Sequence, residues 1–164
     1  MNYQILTASV EDLSAILDLQ KLCYRSEAAL HNDFAIPPLT QTLDSIQDDF
    51  KQGTLFLKVE YKTIIIASVR GRSHDGTAYI GRLIVKDEFQ NNKIGQTLMK
   101  AIEDQFSNCR RFELFTGHKS EKNISLYRKL GYAEFKRQFV NDNLTLVYLE
   151  KHNGQRRDCE QING

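Results

Sequence analysis

The sequence predicts an α+β fold in which helices flank one mixed, mostly antiparallel β-sheet. Short runs rich in β-branched and aromatic residues recur along the chain and predict seven strands. Four longer segments place apolar residues at the spacing of one helix face and predict four helices. The elements follow in the order β-α-α-β-β-β-α-β-α-β-β, which is that of an α+β domain with a mixed sheet.

The strands are placed by their apolar, β-branched runs and by the turn residues between them. They cover residues 3–7, 54–60, 63–70, 79–85, 111–116, 133–140 and 144–150. Tyr61 and Lys62 form a tight connection between the second and third strands. The triplet Asn141, Asp142 and Asn143 is rich in turn formers and connects the last two strands.

The helices are predicted to cover residues 10–29, 40–51, 94–107 and 121–130. Ser9 is a candidate N-cap for the first helix, with Asp12 at the third helical position in a capping-box arrangement. Pro37 and Pro38 exclude a continuous helix over residues 31–39 and predict an extended loop there.

Composition describes an ordinary globular domain. The chain has 164 residues, 41% of them apolar and 26% charged, and its net charge of +1 offers no strong field for nucleic acid or an acidic membrane. We expect residues 1–151 to form one domain and residues 152–164 to form a flexible polar tail. No segment has a membrane-spanning length, and no signal peptide is visible at the N-terminus, so a cytoplasmic location is expected.

Three cysteines lie far apart in the sequence, at Cys23, Cys109 and Cys159. Their odd number and wide spacing fit neither a disulfide framework nor a metal site. We therefore expect thiols in a reducing cytoplasm and no bound metal.

The stretch from Leu83 to Met99 contains the clearest functional pattern. A short apolar strand is followed by a polar turn, and then by a helix whose buried face carries Ile94, Leu98 and Ile102. A strand that feeds a tight turn and a helix points several backbone N–H groups at one spot. That spot lies at the positive end of the helix dipole, so the pattern predicts a phosphate site.

Two motifs resemble those of the GNAT superfamily of acyl-CoA-dependent N-acyltransferases. Residues 90–95, Gln-Asn-Asn-Lys-Ile-Gly, are similar to its Gln/Arg-x-x-Gly-x-Gly/Ala loop, except that Lys93 replaces the middle glycine. About 30 residues later, Asn-x-x-Leu-Tyr-x-x-x-Gly-Tyr at 123–132 resembles its second CoA-contacting region, with Ser120 as N-cap and Gly131 at the helix end. The resemblance covers residues 3–150, and the predicted element order is that of the GNAT fold.

The resemblance implies transfer of an acetyl group from acetyl-CoA to a primary amine by direct attack on the thioester. In the family, the loop amides hold the pyrophosphate of coenzyme A, and the pantetheine arm lies in a splay between the fourth and fifth strands. The cofactor-binding residues that it implies are Ile84, Val85, Gln90, Asn91, Asn92, Lys93, Ile94, Gly95, Gln96, Thr97, Asn123 and Tyr127.

Catalysis requires a proton donor for the departing thiolate and a base for the amine. Tyr127 matches the family's motif tyrosine and is the expected general acid, since a phenol can protonate a thiolate. Glu113 on the fifth strand is a candidate base, and a water chain is the alternative. Tyr79 and Arg82 border the fourth strand, where other members of the family keep their base.

The first helix and the loop after it usually line the acceptor pocket in this fold. Tyr24, Glu27, Asp33 and Phe34 are therefore the predicted acceptor residues, and their carboxylates would suit a cationic amine such as a polyamine, an aminoglycoside or a lysine-like group. The expected partner is a small-molecule or peptide amine, and neither nucleic acid nor a membrane. A homodimer is the assembly considered.

Two other classes of function stay open at this stage. A CoA-binding or sensing module of the same fold would have lost turnover, and Lys93 in place of glycine favours it while Tyr127 opposes it. A nucleotide-binding or purely structural αβ domain would show no preference for acetyl-CoA over ATP. The absence of a P-loop sequence opposes an NTPase.

Overall fold

The computed structural model describes residues 2–154 and contains a seven-stranded sheet. In space the strands follow the order β1-β2-β3-β4-β5-β7-β6, and every neighbouring pair is antiparallel except β4 and β5, which run parallel. The predicted mixed, mostly antiparallel sheet is thereby confirmed. The strands are Gln4–Thr7 (β1), Leu55–Tyr61 (β2), Ile64–His74 (β3), Thr77–Val85 (β4), Arg111–Gly117 (β5), Ala133–Asn141 (β6) and Leu144–His152 (β7).

Five α-helices accompany the sheet in the described part of the chain. They are Leu13–His31 (α1), Pro37–Thr40 (α2), Leu43–Lys51 (α3), Ile94–Gln105 (α4) and Glu121–Lys129 (α5), with 3₁₀ turns at Val10–Asp12 and Asp87–Phe89. Compared with the prediction, α2 is an additional element.

The extended loop predicted over residues 31–39 is wrong in its last part. Pro37 and Pro38 occupy the first positions of α2. The backbone N–H groups at the first positions of a helix have no acceptor within the helix, so proline is tolerated there. The next helix then begins at Leu43, three residues later than predicted, because Thr42 is extended and its Oγ1 accepts a hydrogen bond from Ser45 N at 3.1 Å.

Two apolar clusters form the core. The larger contains the buried face of α4 and the inward side chains of the central strands; its α4 members are Ile94, Leu98, Met99 and Ile102. The smaller packs α1 and α3 against β2 through Leu13, Ile16, Leu17, Ile46 and Phe56.

The parallel joint between β4 and β5 is short. Only three pairs join them, Thr77 with Arg111, Ala78 with Phe112 and Tyr79 with Glu113, although both strands continue beyond that point. The register of the β3–β4 ladder also shifts between Ser68 and Arg70. The sheet therefore opens on one side of β4.

At the C-terminal end, β7 reaches His152, two residues beyond the predicted strand. Asn153 is buried, and its Nδ2 donates to the carbonyl oxygens of Ser107 (2.8 Å) and Cys109 (2.9 Å). The packed domain thus includes the first two residues of the predicted tail, while residues 155–164, with Cys159, lie outside the described residues. Among the helices that are described, none has both the length and the apolar character to cross a membrane.

Candidate functional site

A cavity of about 590 Å³ lies where β4 and β5 separate. Its wall is built by α1 and the segment after it, by β3, β4 and β5, by α5, and by the β6–β7 hairpin. Of the residues predicted from the sequence to bind or react, the wall includes Tyr24, Glu27, Asp33, Asn123 and Tyr127. Tyr24, Glu27 and His31 reach the cavity together because positions 24, 27 and 31 share one face of α1.

Glu27 is a carboxylate of this wall that two side chains hold in place. One of its oxygens accepts a short hydrogen bond from the Ser120 hydroxyl, and the other lies 3.4 Å from Asn123 Nδ2. Its side chain keeps 26% of its surface exposed. Glu27 is therefore fixed in orientation and still open to the cavity.

His31 connects the backbone of Glu27 to the backbone of Lys119. Its ring is buried, Nδ1 lies 3.0 Å from the backbone oxygen of Glu27, and Nε2 accepts the backbone N–H of Lys119 at 3.1 Å. Because Nε2 accepts, the ring proton is on Nδ1 and is donated to the Glu27 carbonyl. Gly117 packs directly on this ring, and a Cβ at that position would overlap His31.

Tyr127 comes from α5 and is 7% exposed. Its ring meets that of Tyr132 edge to face, with centroids 6.0 Å apart. Burial raises the pKa of Tyr127 above its ordinary value, and the nearby Tyr24 and Glu27 raise it further. The phenol therefore keeps its proton at neutral pH and presents an O–H donor to the cavity.

Basic residues line another part of the wall. Arg70 donates to Asp49 (3.1 Å) and Gln20 (2.7 Å), and its guanidinium stacks on Phe56 at 4.6 Å. Arg82 on β4 donates from Nη1 to Gln41 Oε1 at 3.2 Å.

The charges of Arg82 and Glu27 both act on Tyr24. Burial raises the pKa of Tyr24 to about 12, while the Arg82 cation lowers it and the Glu27 carboxylate raises it. Charges of both signs therefore act on this tyrosine in the cavity wall.

The predicted phosphate loop lies at the N-terminus of α4. The first three N–H groups of the helix, from Ile94, Gly95 and Gln96, have no acceptor within the helix. The Lys93 carbonyl accepts from Thr97 N (3.0 Å) and Thr97 Oγ1 (2.9 Å), which closes the first turn.

Lys93 itself adopts the left-handed conformation, with φ 61° and ψ 17°. This is the conformation that favours glycine, and the resemblance expects glycine at this position. The lysine thus keeps the backbone path of the loop and adds a positive charge.

The side chains of Gln90 and Asn92 turn back toward their own loop. Gln90 Nε2 donates to Val85 O and Asp87 Oδ1, both at 3.2 Å, and Asn92 Nδ2 donates to the carbonyls of Phe89 and Gln90 at the same distance. In the structure these two residues brace the loop, and the outward-facing donors are backbone amides.

Of the residues predicted for catalysis or for the acceptor, Glu113 and Phe34 do not line the cavity. Glu113 pairs with Arg111, its Oε1 lying 2.8 Å from Nη2, and Arg111 also bonds Glu150 at 2.8 Å. An ion-paired carboxylate outside the cavity wall is not placed to act as the base. Phe34 is 60% exposed and also lies outside the wall.

Asp33 lines the cavity near its end but is already occupied. Its Oδ2 accepts from Asn141 Nδ2 at 2.8 Å and its Oδ1 from the Ala35 amide at 3.0 Å, and these bonds lower the pKa of Asp33. Asn143 Nδ2 also bonds the Asn32 carbonyl at 3.0 Å. The β6–β7 hairpin is thereby tied to the end of α1.

Sequence reasoning did not identify Ser120, His31 and Arg70 as parts of this site. Ser120 was predicted to be an N-cap, but its hydroxyl is directed to Glu27 and makes no cap hydrogen bond. The four-residue spacing of Glu27 and His31 on α1 is a signal that could have identified the histidine.

Comparison with known proteins gives a consistent result. Residues 26–152 match the family model described as "Acetyltransferase (GNAT) domain". None of the curated proteins matches the sequence significantly.

Solved structures show the same fold at low sequence identity. The ribosomal-protein-S18-alanine N-acetyltransferase of Escherichia coli has a TM-score of 0.77 at 13% identity, over 92% of this chain and 94% of that one. The PaiA N-acetyltransferase of Thermoplasma acidophilum, in complex with coenzyme A, has 0.67 at 20%, over 93% and 99%. The protein yncA of Salmonella typhimurium, with its cofactor acetyl-CoA, has 0.72 at 19%, over 93% and 95%.

Proposed function

Because the chain belongs to the acetyltransferase (GNAT) family, we propose that it transfers the acetyl group of acetyl-CoA to a primary amine. Acetyl-CoA is the cosubstrate of this family. The observation that carries the finer proposal is the joint position of Glu27 and Tyr127 in one cavity, at the opening between β4 and β5. A carboxylate and a protonated phenol in one cavity are the two proton-handling groups that amine acylation needs.

The residues at the cofactor end fit an acyl-CoA. The amides of Ile94, Gly95 and Gln96 are donors at a helix N-terminus and suit a pyrophosphate. A Cβ on Gly95 would make only ordinary contacts, the nearest 3.7 Å from Leu83. The gap beyond Tyr79 leaves room along β4 for an extended arm.

One carbonyl on that strand is already occupied. Val85 O accepts from Gln90 Nε2 (3.2 Å) and from the Cys23 thiol (3.6 Å). Ligand pairing with β4 is therefore proposed for the backbone before Val85.

When bound, acetyl-CoA supplies an acetyl group activated as a thioester. Transfer forms one N–C bond, breaks one C–S bond, and moves one proton from nitrogen toward sulfur. The chain must therefore take a proton at one place and offer one at another.

Glu27 is proposed to take the proton of the acceptor. An alkylammonium is protonated at neutral pH and cannot attack until it loses a proton. The carboxylate of Glu27 can bind the ammonium and accept that proton, directly or through one water. Ser120 and Asn123 hold the carboxylate, while the exposed part of Glu27 faces the cavity. In this proposal Glu27 replaces Glu113 as the base.

Tyr127 is proposed to stabilise the developing thiolate. Its pKa is raised above about 10, whereas a thiol ionises at about 8.5, so complete proton transfer from the phenol would be uphill. Its O–H is thus a hydrogen-bond donor first and a proton source second. The edge-to-face contact with Tyr132 keeps the ring in place.

Calorimetric titration with acetyl-CoA, with ATP as the control ligand, tests the cofactor assignment. We expect one saturable site for acetyl-CoA and none for ATP. Release of free thiol in the presence of a panel of amines then tests turnover. Absence of acetyl-CoA binding at millimolar ligand would overturn the proposal.

A second function is favoured by Lys93 in the position of the family's glycine. A module that binds acyl-CoA without turnover would keep the loop amides and would not need Glu27. It predicts that Glu27→Gln and the wild type bind acetyl-CoA equally well and that neither releases thiol with any amine.

The cytoplasmic location and the homodimer stay predictions. A small-molecule or peptide amine remains the proposed partner. The size of the protein across a concentration series in light scattering would test the homodimer.

A further inference from the structure

Arg82 and Arg70 lie in the same wall of the cavity but have different surroundings. Arg70 donates to a carboxylate and an amide and stacks on an aromatic ring. Arg82 is partly buried and has a single hydrogen bond, to Gln41 Oε1. No carboxylate of the described residues lies within salt-bridge distance of it. A guanidinium has five N–H donors, and Arg82 lines the cavity, so donors beyond this one bond are available to a ligand there.

The backbone at Arg82 is also unusual. Within a β-strand it has a φ of 52°, in the left-handed region that non-glycine residues avoid. Such a conformation costs of order 1–3 kcal/mol and occurs often, though not exclusively, at functional sites. Here it occurs beside the register shift between β3 and β4.

Gln41 acts as a brace for this side chain. Its Oε1 accepts from Arg82 and from Gln20 (3.1 Å), and its Nε2 donates to Asp49 (2.9 Å). Asp49 is the nearest negative charge on this side, and Arg70 already neutralises it. Among the described residues of this wall, the cations without an ion pair are Arg82 and Arg72; Arg72 is exposed to solvent, whereas Arg82 is partly buried.

The cavity is thus bipolar. The carboxylate of Glu27 stands on the α1 side and the guanidinium of Arg82 on the β4 side, and the charges of both reach Tyr24. An acceptor with only ammonium groups would leave Arg82 uncompensated, which is costly for a partly buried cation. An acceptor that carries a carboxylate near its amine satisfies both walls.

We propose that the acceptor is a small amino acid-like zwitterion whose carboxylate binds Arg82 and whose amine lies at Glu27. This rests on the proposed acetyl transfer and specifies its substrate class. The planar fork of a guanidinium matches a carboxylate bidentately. A carboxylate carries the single negative charge that the partly buried guanidinium of Arg82 would neutralise.

The test uses matched substrates that differ only in the carboxylate. Amino acids are compared with the amines obtained by removing their carboxylate. The pairs are lysine with cadaverine, ornithine with putrescine and phenylalanine with phenethylamine. Acetyl transfer is followed by thiol release and confirmed by mass spectrometry of the product. We expect at least one amino acid to exceed its partner amine in kcat/KM by about tenfold or more.

Variants connect this preference to Arg82. In Arg82→Gln, kcat/KM for the preferred amino acid should fall by about tenfold to a hundredfold, while that for its partner amine changes less than about threefold. Arg82→Lys keeps the charge without the fork and should give an intermediate preference. Arg25→Gln is the matched control, because Arg25 is an exposed residue of α1 outside the cavity wall.

A binding measurement does not depend on the variants. With acetyl-CoA replaced by coenzyme A, the preferred amino acid should raise the melting temperature of the wild-type protein, and its decarboxylated partner should not. This measurement decides the matter if Arg82→Gln fails to fold.

The outcomes separate the two proposals. If acetyl-CoA binds and amines without a carboxylate are acetylated as well as or better than the amino acids, the zwitterion proposal is overturned and acetyl transfer stands. An equal loss for both members of a pair in Arg82→Gln also overturns it, as does failure to acetylate any amino acid while acetyl-CoA binds. If acetyl-CoA does not bind, the proposed function fails first.

Discussion

The hydroxyl of Ser120 donates a hydrogen bond to the carboxylate of Glu27, joining the start of α5 to the cavity face of α1. Ser120 is 2% exposed, and Asn123 approaches the other carboxylate oxygen at 3.4 Å. Both helices that carry the proposed proton-handling residues are therefore connected at the carboxylate itself.

We expect Glu27→Gln to lower kcat/KM by about a hundredfold, since removal of a general base costs that much or more. The dissociation constant for acetyl-CoA, measured by calorimetry, should change less than about threefold. Glu121→Gln, at the exposed start of α5, is the matched control and should retain wild-type kinetics. Full activity in Glu27→Gln would return the search for a base to bound water.

Ring and hydroxyl contributions of Tyr127 can be separated with Tyr127→Phe. The phenylalanine keeps the edge-to-face contact with Tyr132, so the melting temperature should change little. Loss of the donor should lower kcat by about tenfold to a hundredfold with acetyl-CoA affinity retained. Because burial raises the pKa of Tyr127, no loss of activity between pH 6 and 10 should arise from its ionisation. Unchanged kcat in single-turnover measurements would contradict a role for the hydroxyl.

Substitutions of Lys93 test whether its left-handed backbone conformation costs stability. Lys93→Gly relieves the left-handed strain at φ 61° and should be more stable to urea than Lys93→Ala by about 1 kcal/mol. Both variants lose one charge near the phosphates, so acetyl-CoA affinity should depend less steeply on salt than in the wild type. The prediction fails if alanine and glycine give equal unfolding free energies.

Gly117 and His31 should be coupled in stability. A methyl group at position 117 would overlap the His31 ring, so Gly117→Ala should lower the free energy of unfolding by about 1–3 kcal/mol. In the background of His31→Ala the same change should cost much less, because the obstructing ring is gone. A double-mutant cycle in urea measures this coupling, and additive effects would exclude the contact as the cause.

We expect the protein to lose stability at alkaline pH because of the Cys23 thiol. Burial, with Asp87 and Glu88 nearby, raises the pKa of Cys23 to about 11. In the unfolded chain the thiol ionises near its ordinary value of 9.0, so its contribution is complete below pH 9 and is lost as pH rises to about 11. Urea unfolding should show a larger decrease between pH 9 and 11 in the wild type than in Cys23→Ala, by about 1 kcal/mol, because solvent screens the partly exposed thiol. Rapid alkylation of the native thiol at pH 8 would contradict the raised pKa.

The sequence predicts the elements well because their patterns are local. The apolar face of α4 and the glycine after α5 each reflect neighbours within one or two helical turns. α2 was missed because Pro37 and Pro38 were interpreted as excluding a helix, whereas they begin one.

The site was predicted less completely because its contacts are long-range. Glu113 was a candidate base, but strand register places it beside Arg111 and Glu150. The Ser120 contact with Glu27 spans ninety-three positions in the chain, and the direction of Arg82 follows from a local twist of β4. Neither is encoded in a periodic pattern.

The three-pair joint between β4 and β5 also bears on the order in which ligands bind. The three pairs lie at the first residues of both strands, and no further pair joins β4 to β5 beyond them. In the proposed function, a cofactor arm in this gap would pair with backbone groups of β4 that have no partner on β5. We expect the cofactor to bind before the amine, because its arm would complete that side of the acceptor cavity.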